Sequence, residues 1–272
     1  MNRRRFLLAA LAISFAAAPA AAQRFEPSRF SVEVVGRGPD VILIPGLTSG
    51  RAVWRATAAA IPGYRYHLVQ VAGFAGEPAR GNRTGPVVAP LAEEIARYIA
   101  DRRLDRPAIV GHSMGGTIAM MIAARRPELA GRIMVVDMLP QPAGLFGGNA
   151  RDAAPLADFM ATPGGSRLFN SLMAVFSPPE VARGSDADVV GRATRDLATT
   201  DLTGRLQRIR APLTVVYASP DRQANAAIDR SFARAYASAH DARLVRIDGS
   251  GHMVMLDQPE RFRAEMRRFL SP

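Results

Sequence analysis

Seven short apolar runs, each followed by a turn or by a stretch of helical spacing, constrain this chain more than any other feature. They are "FSVEVV" (30–35), "DVILIPG" (40–46), "YHLVQVAG" (66–73), "PAIVGH" (107–112), "RIMVVD" (132–137), "PLTVVYAS" (212–219) and "ARLVRIDG" (242–249). The first alternates at period two and ends in Gly36-Arg37-Gly38-Pro39, a turn. Most of the others are continuous runs rich in Val, Ile and Leu, the mark of strands buried on both faces. Between them lie "RAVWRATAAAI", "PVVAPLAEEIARYIADRRL", "MGGTIAMMIAARR" and "NAAIDRSFARAYASA", with apolar residues three and four apart. Strand, helix, strand, repeated in this way, predicts a parallel sheet with helices on both faces.

Two segments fall outside that rhythm. From Leu139 to about Arg210 the chain turns to "PQPAGLFGGNARDAAP", "ATPGGS" and "SPPEVARGSDAD", with amphipathic pieces such as "RLFNSLMAVF" between them. That is too long for one crossover loop in a compact domain, so residues 140–210 are expected to form a helical cap over the sheet edge. The other segment is the N-terminus, "MNRRRFLLAALAISFAAAPAAAQ". A charged start, a short apolar run and Ala20-Ala21-Ala22 as an A-x-A end have the layout of an export signal over residues 1–22. The run from Phe6 to Ala18 is short for a bilayer span. Arg3-Arg4 followed by Phe6-Leu7 resembles a twin-arginine signal, and the general secretory route is the alternative. The exported chain is expected to start near Gln23 in the periplasm, its core formed by 23–139 and 211–272, with no stable membrane association.

The formal charge is +11, of which Arg3, Arg4 and Arg5 carry three, and every basic residue is arginine. A nucleic-acid interface would group such charges and interleave them with aromatics. Beyond the first five residues they stand singly or in pairs, scattered among acids, which points to a solvated surface and no nucleic-acid partner. Cysteine is absent, so neither a disulfide nor a thiol contributes. No His/Asp/Glu cluster has metal-ligand spacing, and no metal or organic cofactor is expected.

The chemistry is concentrated at "GHSMGG" (111–116), at the junction of a buried run and a small-residue helix. In a parallel sheet, reactive groups are presented at the carboxyl ends of strands. G-x-S-x-G there forces a sharp strand-to-helix turn, with the glycines relieving crowding around a strained serine. Ser113 is therefore the candidate nucleophile, at a helix N-terminus that favours negative charge. Gly116, Thr117 and Ala119 let the helix pack close to the sheet.

A serine hydroxyl needs a base, most often histidine. His67 is expected at the amino end of its strand, His112 points away from Ser113 as an elbow-packing group, and His240 ends a helix on the wrong side. His252, after the last strand in "GSGH", is the expected base. The acid that orients it should end a strand between them. Asp221, after the penultimate strand, is the first choice, and Asp137, ending "RIMVVD", is the alternative. The expected oxyanion donors are the backbone amides of Met114 and of Leu47 in "PGLTSG", with Thr48 or Ser49 as a side-chain supplement.

With "GHSMGG", "IPGLTSG", "VAGFAGEP", "RIRAPLTVVYASPDR" and "GSGHMVMLDQPERF" in place, the chain resembles an α/β-hydrolase-fold serine hydrolase over nearly all of residues 30–270. It departs from the family pattern in having Pro45-Gly46 where His-Gly is usual, and Ser219-Pro220-Asp221 where Gly-x-x-Asp is usual. The resemblance implies an α/β-hydrolase fold, with a mostly parallel central sheet flanked by helices and a helical cap insertion after the sixth strand. It also implies ester hydrolysis on a small-molecule substrate through an acyl-enzyme. Lactonases, perhydrolases and carbon–carbon bond hydrolases use the same scaffold and remain alternatives. Serine at the elbow, where aspartate would be expected, argues against epoxide hydrolase and dehalogenase chemistry. Met138 and Met253, with Leu145, Phe146, Phe169 and Phe176 from the cap, are the expected lining of an adaptable apolar acyl pocket.

Overall fold

The structure, a computed structural model, describes residues 25–143, 162 and 184–271. The expected signal segment and Leu145, Phe146, Phe169 and Phe176 of the expected cap lie outside the described residues. All seven apolar runs form strands of one sheet: β1 (Phe30–Gly36), β2 (Asp40–Ile44), β3 (Arg65–Val71), β4 (Ala108–His112), β5 (Arg132–Val136), β6 (Leu213–Ser219) and β7 (Arg243–Asp248). Their order across the sheet is β1-β3-β2-β4-β5-β6-β7. β1 pairs antiparallel with β3, and every other pairing is parallel.

The continuous apolar runs are explained by helices on both faces. Ile42, Ile44, Ile109, Ile133, Val135 and Val215 face one layer, and their neighbours Val41, Leu43, Val110, Met134, Val136 and Val216 face the other. The first layer is covered by α2 (Val88–Asp101), α3 (Met114–Arg125), α4 (Ala187–Ala198) and α5 (Asn225–Ala235). The second is covered by α1 (Ala52–Ala60), the short α6 (Val254–Asp257) and α7 (Pro259–Leu270). Helix α3 is buried along its whole length except Arg125, because Gly115, Gly116 and Ala119 bring it close to the sheet. On the opposite face Trp54 of α1 packs on Phe262 of α7, with ring centroids 6.1 Å apart.

The expected cap leaves the sheet from β5, the fifth strand in chain order and not the sixth, since only five strands precede it. Its last part does not stand off as a separate layer. Val189, Val190, Ala193 and Leu197 of α4, and Leu202 and Leu206 beyond it, are buried in the same core as α2 and α3. Polar contacts hold α4 there. Asp186 caps its N-terminus by accepting from the amides of Asp188 and Val189 at 3.0 Å. Arg192 donates to the carbonyls of Asn82, Arg83 and Gly85.

Asp196 reaches across to the start of α2, where its Oδ2 accepts from the amides of Val87 (2.6 Å) and Val88 (3.0 Å). Helix α2 has no acidic residue in its own first turn and no side-chain cap from its own sequence. A carboxylate from elsewhere in the chain thus supplies both the missing acceptor and the charge that its dipole favours. Asp196→Ala is predicted to cost about 1–2 kcal/mol, the usual range for losing such a cap. Thermal unfolding should show a midpoint lower by roughly 2 to 8 °C. An unchanged midpoint would mean that the Asp196 carboxylate adds nothing to the hold between α4 and α2.

Candidate active site

β4 ends at His112 and α3 begins at Met114, so Ser113 makes the whole turn between them. Its backbone sits at φ 53, ψ −121, a region that L residues occupy only when the surroundings impose it. The surroundings are specific. Ser113 donates its amide to Val136 at the end of β5 (2.9 Å), and its carbonyl accepts from Gly116 (2.8 Å) and Thr117 (3.2 Å). A β-carbon on Gly111 would overlap the carbonyl of Gly115, and one on Gly115 would overlap the carbonyl of Ile44 in β2. The two glycines of the motif are therefore demanded by close packing of backbone on backbone. Ser113 itself is 9% exposed.

His252 lies in the loop between β7 and α6. That loop is fixed to the end of β6, where the carbonyl of Ser219 accepts from Gly249 (2.8 Å). It is fixed to its own helix by Gly251, which donates to Asp257 Oδ2 (2.9 Å). The imidazole is 40% exposed, and its Nδ1 is 2.7 Å from Oδ2 of Asp137, a carboxylate only 12% exposed. A carboxylate accepts, so Nδ1 is the donor of this pair, and Nε2 is the nitrogen left free of it.

The acid beside His252 is thus Asp137, and the expectation of Asp221 is corrected. Asp221 sits on an exposed turn after β6, where its Oδ1 caps the amide of Gln223 (2.9 Å). The reason lies in the backbone of Asp137, whose φ of 50 bends the chain sharply at the end of β5. Its amide donates to Val216 (2.7 Å), and its Oδ1 accepts from Ala218 (2.9 Å). The side chain therefore lies across β6 and reaches toward the loop beyond. β6 runs on to Ser219, which carries Asp221 past that position.

His112 has a larger part than elbow packing. Its Nε2 is 2.9 Å from the backbone carbonyl of His252, and the two rings have centroids 4.6 Å apart. Burial, with the neighbouring His252 adding to it, pushes His112 down to about 3, so it is neutral and Nε2 is the donor. Among the described residues its Nδ1 has no partner, and a β-carbon on Gly46 would lie 2.8 Å from it. One side chain thus touches the nucleophile turn, the His252 loop and the loop after β2. Sequence reading missed this contact because it spans 140 residues of chain. The only local signal is a histidine placed inside the elbow motif.

Gly46 to Ser49 form the loop after β2, closed by the Ser49 amide donating to Gly46 (3.2 Å). Among the described residues the amides of Leu47 and Met114 have no hydrogen-bond acceptor. The loop approaches Ser113 closely, since a β-carbon on Gly46 would lie 3.1 Å from Cβ of Ser113. Thr48 and Ser49 are buried, and the Thr48 hydroxyl has no partner among the described residues.

Of the expected pocket residues that are described, Met138 and Met253 are both buried, in the cores on opposite faces of the sheet. His67 is held by Tyr98 (2.8 Å) and Asp40 (2.8 Å), and His240 is exposed at the end of α5's turn. Among the described residues no group of three or more His, Asp or Glu side chains could hold a metal ion. Two surface hollows, of about 440 and 390 Å³, flank β1 and include neither Ser113 nor His252.

A mostly parallel sheet with a serine elbow, and a histidine–carboxylate pair at the same sheet end, defines a hydrolase of the α/β class. The chain belongs to the alpha/beta hydrolase family, whose pattern matches residues 41–265. It is 28% identical over 249 residues to a pimeloyl-[acyl-carrier protein] methyl ester esterase of Aromatoleum aromaticum, covering 82% of this chain and 94% of that one. Among solved structures it is similar to a thermophilic esterase from Thermogutta terrifontis (TM-score 0.72, 20% identity, 92% of this chain and 98% of that one). It is also similar to an enol-lactonase from Burkholderia xenovorans LB400 (TM-score 0.70, 19% identity, 89% of this chain and 96% of that one). These two structural likenesses speak for the fold alone.

The buried neutral His112 makes a pH-dependent contribution whose sign is fixed. Its folded-state value, about 3, lies below the ordinary 6.5, so between these the unfolded chain takes up a proton that the folded one refuses. Stability therefore falls as pH drops from 6.5 toward 3, each unit of separation being worth about 1.4 kcal/mol. His67, also lowered chiefly by burial, acts in the same direction. His112→Gln is predicted to flatten the decline in urea-unfolding free energy between pH 6.5 and 4.5 without abolishing it. Parallel declines in the variant and the wild type would contradict the assignment.

Proposed function

We propose that this chain is a serine hydrolase that cleaves carboxylic esters of short-to-medium acyl chains through an acyl-enzyme. The observation that carries the reading is Ser113, held strained at the elbow, at the same sheet end as the His252–Asp137 pair. The esterase relatives, named for methyl ester cleavage, support ester bonds as the substrate class. Oγ of Ser113 attacks the carbonyl carbon as Nε2 of His252 takes its proton. Asp137 holds the imidazole in the required tautomer and balances the imidazolium that forms. The negative oxygen is received by the amides of Leu47 and Met114, at the head of α3 where the helix dipole assists. His252 then passes its proton to the departing alcohol. Water, deprotonated by the same nitrogen, releases the acid and restores the serine. The leader-like residues 1–22 support a periplasmic place of action. Recovery of a chain starting near Gln23 from the periplasmic fraction checks this.

The test is a panel of p-nitrophenyl esters of rising chain length, read with paired substitutions of the two acids. Asp137→Asn should lower kcat by on the order of 10³ to 10⁴, because the imidazole loses both its orientation and its counter-charge. Asp221→Asn should stay within about threefold of wild type, since an exposed turn carries little of the barrier. A dead Asp221 variant beside an active Asp137 variant would exchange their roles. Absence of turnover on every ester would move the reading to lactones or carbon–carbon bonds.

A further inference from the structure

We propose that Ser185 is a positioning residue for the oxyanion loop, fixing through its hydroxyl the strained turn that carries Leu47. The inference rests on the role given to the Leu47 amide above. In the turn Gly46–Ser49, Thr48 occupies the third position at φ 62. That position of a turn normally takes glycine or asparagine when φ is positive, and a β-branched residue is strained there. A strained residue keeps its conformation only where neighbouring groups over-determine it.

Ser185 is the group that does so. Its Oγ donates to the carbonyl of Thr48 (3.2 Å) and accepts from the amide of Ala75 (3.0 Å). Ala75 also has a positive φ, 49, so one hydroxyl bridges two strained loop residues from different parts of the sheet edge. Ser185 is itself well anchored. The next residue, Asp186, caps α4 and donates its amide to Gly73 (2.8 Å). Arg192 and Asp196 then tie α4 to the loop and helix after β3. On its other side the turn is wedged, Gly46 lying against His112 and Ser113. Leu47 is therefore held from both directions, and releasing the Thr48 carbonyl frees only the far one. The Thr48–Ser49 peptide can then turn, and its Ser49 amide no longer holds the Gly46 carbonyl, which belongs to the same peptide as the Leu47 amide.

The experiment measures kcat and KM on a p-nitrophenyl ester for wild type, Ser185→Ala, Thr48→Gly and the double variant. Ser185→Ala should lower kcat by about tenfold with KM within about twofold, less than the 10² to 10³ typical for losing a donor outright. Thr48→Gly removes the strain, so in that background Ser185→Ala should cost less than about threefold. Ser185→Thr, which retains the hydroxyl, should restore most of kcat. Ser185→Cys, a weaker donor of similar shape, should fall between and serves if the alanine variant does not fold. An unchanged kcat in Ser185→Ala or Ser185→Cys, or equal losses in both backgrounds, overturns the proposal. A wild type inactive on every ester overturns the ester-hydrolase reading first, which separates the two failures.

Discussion

The backbone of Ser113 is the constraint on which the rest of the molecule turns. A residue at φ 53 and ψ −121 between a strand and a helix persists only if both elements are fixed independently of it. β4 supplies one side, hydrogen-bonded in the middle of the sheet between β2 and β5. α3 supplies the other, buried from Met114 to Ala124 against the core. Gly111 and Gly115 permit the approach, since side chains there would meet main-chain atoms that cannot yield. The strain at one residue is offset by burial spread over dozens.

Sheet order then explains where the other groups come from. β5 neighbours β4, and its last residue is followed at once by Asp137, whose amide and Oδ1 are both spent on β6. β7 lies one strand further, and its outgoing loop is bound back to Ser219 at the end of β6. Asp137 and His252 are thus aligned through the backbone groups of β6. His112 completes the arrangement from beneath by holding the His252 carbonyl. Burial keeps His112 neutral, so its ring adds no positive charge beside His252.

Local patterns made most of this legible in the sequence. Apolar runs marked all seven strands, and glycine spacing marked the strand–helix junction at which Ser113 lies. The Gly-Ser-Gly loop after the last strand marked the position of His252, which lies beside a carboxylate. The acid was not decided by pattern, because β5 and β6 are adjacent parallel strands only about 5 Å apart. Asp137 and Asp221 both follow strand ends, and the difference is a left-handed backbone at 137 and three further strand residues before 220. Ser185 and His112 were illegible for a related reason. Their roles are contacts to backbone carbonyls 137 and 140 residues away, and a carbonyl has no letter in the sequence.

The central claim is that Ser113 is the nucleophile, and covalent labelling tests it most directly. A fluorophosphonate should modify the wild type at one site, with the added mass on the tryptic peptide that contains Ser113. Ser113→Ala, folded as judged by circular dichroism, should remain unlabelled. Single-site labelling elsewhere, at Ser219 or Ser250 for example, or labelling that persists in Ser113→Ala, would contradict the account.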